Sequence, residues 1–221
     1  MKGYEATALL ALAASIKTTQ YIPTGPEGQV PVSATVERYQ KAPNLVTNIY
    51  YTATYTIADG FDGTKAWSEN AQGRVTEPIS IDQVRAKRDS DFYLPLNLKQ
   101  QCAKMEVQGI ERVNGRDAYL VVGTPQGDLP ERLYFDMQTG LLRKATVLPT
   151  FTGNSPFEVN YSDYRDTGSG VKFPYLIMMI PANSRTVLYG TVILQVTKVE
   201  DNKTIENAKI ARPESKPGPA Q

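Results

Sequence analysis

The sequence predicts a mainly β protein built on one long, strongly curved antiparallel sheet of about ten or eleven strands. Three observations predict it. Apolar residues alternate with period two along most of the 221 positions, tight-turn residues separate successive alternating runs, and only two segments switch to helical spacing. Serial hairpins make an antiparallel meander, because parallel neighbours need long crossovers. A sheet of that many strands does not stay flat; it curls, and helices fill the concavity or the sheet closes around it.

The first helical spacing opens the chain. In MKGYEATALLALAASI, Leu9, Leu12 and Ile16 recur on one face with Ala13 beside Leu9, which predicts an N-terminal helix over 4–15. It does not read as an export signal, since Glu5 interrupts it and the apolar run Ala6–Ala14 is short. Residues 29–39 then alternate through Val30, Val32, Ala34 and Val36, and 44–58 place Leu45, Ile49, Tyr51, Tyr55 and Ile57 on one face. GFDGTKAW (60–67) follows. Its Asp-Gly pairs are turn chemistry and it opens a strand, so it is a hairpin connection and not a phosphate loop, which would need GxxxxGK[ST] or a helix start. Trp67, the only tryptophan, is expected to be buried in the core or against a helix.

The second helical spacing lies at 80–93. Ser80 and Gln83 have the S-x-x-Q capping-box arrangement, Ile81, Val84, Arg88 and Phe92 recur at helical intervals, and Pro95 ends the run before another turn at Leu96–Cys102. Its apolar stripe is narrow and flanked by Arg85, Lys87 and Arg88, which suits a lid docking over a cavity mouth. Strands resume at 104–113, 116–124, 131–137, 141–148, 157–164, 171–180 and 185–199. Asn114-Gly115, Gln126-Gly127-Asp128, Gln138-Thr139-Gly140 and Gly168-Ser169-Gly170 separate the runs they fall between. The Pro-rich end predicts a disordered tail over 206–221, leaving 1–205 as one domain.

Composition removes several function classes. Lys and Arg number 24 against 23 Asp and Glu, so there is no basic excess for a nucleic acid to follow. There is no histidine, which excludes Ser-His-Asp and Cys-His catalysis and His-ligated zinc or haem. The lone Cys102 can form no intrachain disulfide and reads as a small core filler. No metal or cofactor is expected, and no run approaches the length of a membrane-spanning segment.

Three stretches in order carry a resemblance: GFDGTKAW, then VNGRDAYLVVGTPQGDLPERLYFDMQTGLLRKA (113–145), then VNYSDYRDTGSGVKFPYLI (159–177). With the leading helix and inserted helix, the chain over roughly 4–200 resembles the LolA/LolB-like superfamily of outer-membrane lipoprotein-sorting and carrier proteins. It is most similar to periplasmic domains of this type in acidobacterial proteins, some appended to c-type cytochromes. The resemblance implies an open half-barrel, a periplasmic or outer-membrane-associated location, and a lid over a concave surface. The chain departs from the pattern at NIYYTATYTI (48–57), which lacks turn residues where related proteins have them. There the two strands merge, or an unusual turn occurs.

Function is expected to be binding and not catalysis. A concave sheet lined by Ile, Leu, Val, Tyr and Met would accept a hydrophobic small molecule, a lipid or a lipoprotein acyl chain, with Ile81, Val84, Phe92, Trp67, Tyr51, Tyr55, Met178 and Met179 as cavity and lid candidates. The alternative within that reading is an interior filled by side chains. A non-catalytic accessory domain of an envelope redox protein, with a partner protein there, is a second reading. A His-independent Tyr/carboxylate enzyme is a third, with Glu158, Asn160 and Ser162 on one strand face and Arg116, Arg132 and Arg143 as the groups that could approach them.

Overall fold

A computed structural model of the chain describes residues 11–23, 29–148, 156–182 and 190–216. Thirteen strands form one sheet: β1 (Ala11–Pro23), β2 (Gln29–Lys41), β3 (Leu45–Tyr51), β4 (Thr56–Asp62), β5 (Ala66–Glu69), β6 (Val75–Thr76), β7 (Cys102–Val113), β8 (Arg116–Pro125), β9 (Glu131–Asp136), β10 (Leu142–Val147), β11 (Phe157–Asp166), β12 (Lys172–Pro181) and β13 (Val192–Asp201). Helices α1 (Ser80–Asp89) and α2 (Leu94–Gln101) lie between β6 and β7 in the chain, and α3 (Asn207–Ile210) follows β13. The spatial order is β6-β5-β4-β3-β2-β1-β13-β12-β11-β10-β9-β8-β7. Two antiparallel meanders are therefore zipped together where β1 pairs with β13. No helix among the described residues is long and apolar enough to cross a membrane.

The curvature follows from what α1 touches. Gln83 hydrogen-bonds both backbone groups of Ala66 on β5, its Nε2 donating to the carbonyl at 3.1 Å and its Oε1 accepting from the amide at 2.8 Å. Five residues later, Arg88 Nη2 lies 3.0 Å from the Glu131 carboxylate at the start of β9. In the sheet order β5 and β9 are nine strand spacings apart, ~43 Å if the sheet were flat. Five residues of helix rise only ~7.5 Å. The sheet must curl until its two flanks meet across α1, giving the open half-barrel that the sequence predicts.

Aspartates close the tight turns. Asp62 accepts from the amides of Thr64 and Lys65 at 2.9 and 2.8 Å, closing the β4–β5 hairpin. Asp136, buried, accepts from the amides of Gln138 and Thr139 and from the Thr139 hydroxyl at 2.9–3.0 Å, while Arg116 Nε approaches it to 2.9 Å. The stretch lacking turn residues does turn: the Thr52 hydroxyl accepts from the amides of Thr54 and Tyr55 and donates to the Tyr55 carbonyl, substituting for the missing Asn or Gly.

Several expectations are corrected. Residues 11–15, read as part of an N-terminal helix, belong to strand β1; its pairing with both β2 and β13 overrides the helical spacing of small apolar residues. The rest of that expected helix, 4–10, lies outside the described residues. The capping box does not form: Ile79 is the N-cap, Ser80 is already helical, and Gln83 is taken by Ala66. The helical excursion is two helices, with Pro95 in the first turn of α2.

Where a disordered tail was expected from 206, the chain instead crosses the outer face of the sheet strand by strand. Lys209 Nζ pairs with Glu37 on β2 at 3.1 Å, and the Ile210 carbonyl accepts from Thr47 on β3 at 3.3 Å. Arg212 pairs with Asp62 at the end of β4 and with Glu77, at 3.6 and 2.8 Å. The amide of Val75 on β6 donates to Ser215 Oγ at 3.1 Å, and the Lys216 amide donates to the Gly73 carbonyl at 2.9 Å. Residues 217–221 lie outside the described residues.

Candidate functional site

In an antiparallel ladder, residues directly opposite share a face, so the register identifies what the concave side presents. Over β9–β12 it is apolar: Leu133, Ala145, Val159 and Met179 stand in one transverse row, and Val121 on β8 and Val107 on β7 continue it. Leu133, Ala145 and Val159 are at most 5% exposed, so the interior is packed over β9–β11, while Val107 at the β7 edge is 67% exposed. Over β2–β5 the same side carries a polar row, Arg38–Asn48–Asp59–Ser68.

That polar half is open. A cavity of about 360 Å³ lies between it and α1, walled on the apolar side by Val46, Phe61, Ala66, Ala86 and Met179 and on the polar side by Arg38, Asn48, Tyr50, Asp59, Asp89 and Ser90. The polar groups form a chain. Arg38 Nη1 donates to Asn48 Oδ1 at 3.0 Å, and Asn48 Nδ2 donates to Asp59 Oδ1 at 2.7 Å. Burial, with the neighbouring Asp59 carboxylate adding to it, pushes the Tyr50 phenol far above its ordinary range. Burial raises the Asp59 carboxyl as well, against the opposing pull of Asn48, Tyr50 and Arg38.

The helix α1, whose Ala86 and Asp89 wall the cavity, is anchored by ion pairs. Arg85, on the buried side of α1, clasps Asp128 of the β8–β9 loop through two hydrogen bonds, Nε–Oδ2 2.8 Å and Nη2–Oδ1 2.9 Å. Asp128 is held below the usual carboxylate range chiefly by that contact. Arg88 pairs with Asp89 at 2.9 Å and with Glu131 at 3.0 Å, and lies 3.7 Å from Asp128. Burial pushes Glu131 up to about 7, with Asp89 and Asp128 adding repulsion against the attraction of Arg88.

The residues singled out in the sequence divide three ways. Met179 lines the cavity, and Phe92 packs against the buried cluster of Ala14, Val36 and Val196. Ile81 is half-buried, while Val84 is 45% exposed and borders a separate recess with Lys87, Asp91 and Gln101; the buried side of α1 carries Asp82 and Arg85 instead. Trp67, Tyr51 and Met178 alternate away from the cavity residues Ala66, Tyr50 and Met179 and so lie on the other side of the sheet, and Tyr55 sits in the Thr52 turn.

Trp67 is buried all the same, at 1% exposure. It stands opposite Gly60 in the row Tyr39–Thr47–Gly60–Trp67, on the outer face that the C-terminal segment crosses. A Cβ at residue 60 would come within 2.2 Å of the Val46 carbonyl oxygen and 2.9 Å of the indole, so only glycine lets the ring lie flat there.

The constellation considered for acid-base chemistry does not assemble. Arg116 and Arg143 turn to Asp136, Arg132 pairs with Glu111, and Glu158 is approached by Lys144 at 3.4 Å. Ser169 is bound to Asp201 in the β11–β12 turn. Burial raises the Cys102 thiol, the opposite of what a nucleophile needs.

Neither a family model nor a curated protein matches the chain. Solved structures do. A DUF1329 family protein from Desulfovibrio piger has 11% identity and a TM-score of 0.66, covering 92% of this chain and 90% of that one. A LolA superfamily protein from Nitrosomonas europaea has 11% identity and a TM-score of 0.65, covering 92% and 91%. A domain assigned to outer membrane lipoprotein sorting from Vibrio parahaemolyticus has 10% identity and a TM-score of 0.63, covering 92% and 90%. At these identities the fold is what is shared, over nearly the whole of each chain.

Proposed function

We propose that the chain is a non-catalytic binding or carrier module of the bacterial envelope, taking a single-tailed amphiphile such as a lipid acyl chain into the open half of its concave face. The cavity beside the polar row carries this reading. Its apolar wall of Val46, Phe61, Ala66 and Met179 suits a tail, and its polar wall of Arg38, Asn48, Tyr50 and Asp59 suits a head. About 360 Å³ is near the lower end of ligand pockets, which favours one chain over a multiply acylated lipid. Likeness in fold to lipoprotein-sorting proteins supports the reading, as does the sequence resemblance. The α1 helix, held by ion pairs on its buried side, serves as the cover.

Displacement of a neutral fluorescent probe by a series of alkyl amphiphiles tests this. Burying a methylene is worth about 0.8 kcal/mol, so two more carbons should raise affinity roughly fifteen-fold until the cavity is full. Affinity independent of chain length, or no displacement by any member, would overturn it.

A further inference from the structure

We infer that the cavity binds its ligand through an anionic head, a carboxylate or phosphate, received by the guanidinium of Arg38; this rests on the amphiphile reading above and specifies its head. The argument is one of unfilled hydrogen-bonding capacity. Arg38 presents five N–H donors. Asn48 accepts one at 3.0 Å and Gln40 another at a long 3.5 Å, and no carboxylate among the described residues stands within ion-pair distance of it. The two acids of the cavity are differently placed. Asp59 already accepts from Asn48, and Asp89 is paired with Arg88. What the cavity lacks is acceptors at Arg38, and a ligand that fills it must bring them.

Asn48 sets the geometry. By standing between Arg38 and Asp59 in the transverse row, it keeps cation and anion from closing on each other and leaves the guanidinium facing the cavity. A planar fork matches the oxygens of a carboxylate or a phosphate two at a time. Burial pulls the Arg38 guanidinium down from its usual range, against the opposing pull of Tyr50, Asp59 and Asp89.

The test uses four twelve-carbon amphiphiles below their micelle concentrations: dodecanoate, dodecyl phosphate, dodecanol and dodecyltrimethylammonium. Each displaces a neutral fluorescent probe from the full chain and from Arg38→Gln and Arg38→Lys, with folding of the variants checked by thermal melting. At least one anionic head should bind about tenfold or more tighter than the alcohol. Arg38→Gln should bring the anion-to-alcohol affinity ratio close to one, and Arg38→Lys should keep part of the advantage. Preference for carboxylate or for phosphate identifies which head the fork fits. Equal binding of all heads, preference for the ammonium, or an anionic advantage that survives Arg38→Gln would overturn the inference while the amphiphile reading stands. Displacement by none of the four would overturn both.

Discussion

Arg85 of α1 and Asp128 of the β8–β9 loop form a two-point fork at 2.8 and 2.9 Å with both side chains at most 2% exposed, although the sequence pattern places Arg85 among the charged residues flanking the apolar stripe of that helix. Removing Asp128 takes both short contacts from the buried Arg85 and leaves it the longer 3.9 Å approach to Asp82. Asp128→Ala should therefore cost about 3–5 kcal/mol. The double change Arg85→Met with Asp128→Leu should cost less than the single one. Urea unfolding of the three proteins checks this, and a single-variant loss below ~1 kcal/mol would contradict it.

Glu131 makes the stability of the same region depend on pH. Its folded pKa, about 7, lies above the ordinary value of 4.5. The folded state thus holds a proton that the unfolded state releases, and the resulting stability is complete below 4.5 and disappears as pH rises through 7. Stability should fall over that interval by on the order of 3 kcal/mol. Glu131→Gln should flatten the profile, as read by melting temperature against pH.

How much of this was legible in the sequence varied with the range of the signal. Hairpins written into neighbouring residues, such as Asn114-Gly115 between β7 and β8, could be read directly, and so could the Asp62 and Asp136 turns. The polar row could not, because Arg38, Asn48, Asp59 and Ser68 are brought level only by the register of four strands. Period-two reading placed the apolar residues of β3 on one face but did not say which face meets the cavity, so Tyr51 was named where Tyr50 lines it. In α1, burial of Arg85 depends on Asp128, a residue forty-three positions away.

Trp67→Ala should cost about 3–5 kcal/mol as a large-to-small change at a buried position. Gly60→Ala should also destabilise strongly, since its methyl meets a carbonyl oxygen and the indole. Tryptophan emission of the wild type should be blue-shifted, and that of the Gly60 variant should move to the red. An unchanged spectrum and melting temperature for Gly60→Ala would count against the stacked arrangement.

The C-terminal segment should stabilise the sheet through Ile210, which is 5% exposed. Ile210→Ala should cost about 2–5 kcal/mol. Hydrogen exchange should rise in β3–β6 and remain unchanged in β9–β11. Uniform exchange across both halves would show that the segment does not act locally.

The same segment has a consequence for self-association. An open sheet ordinarily offers two unpaired edges, and a chain with two can add copies at both ends without limit. Here the β6 edge is engaged by Ser215, with Lys216 bound to Gly73 just before it, while β7 is the terminal strand on the opposite side. Among the described residues the β6 edge thus carries contacts that a strand of a second copy would have to displace, so Ser215 and Lys216 disfavour edge-to-edge addition on that side.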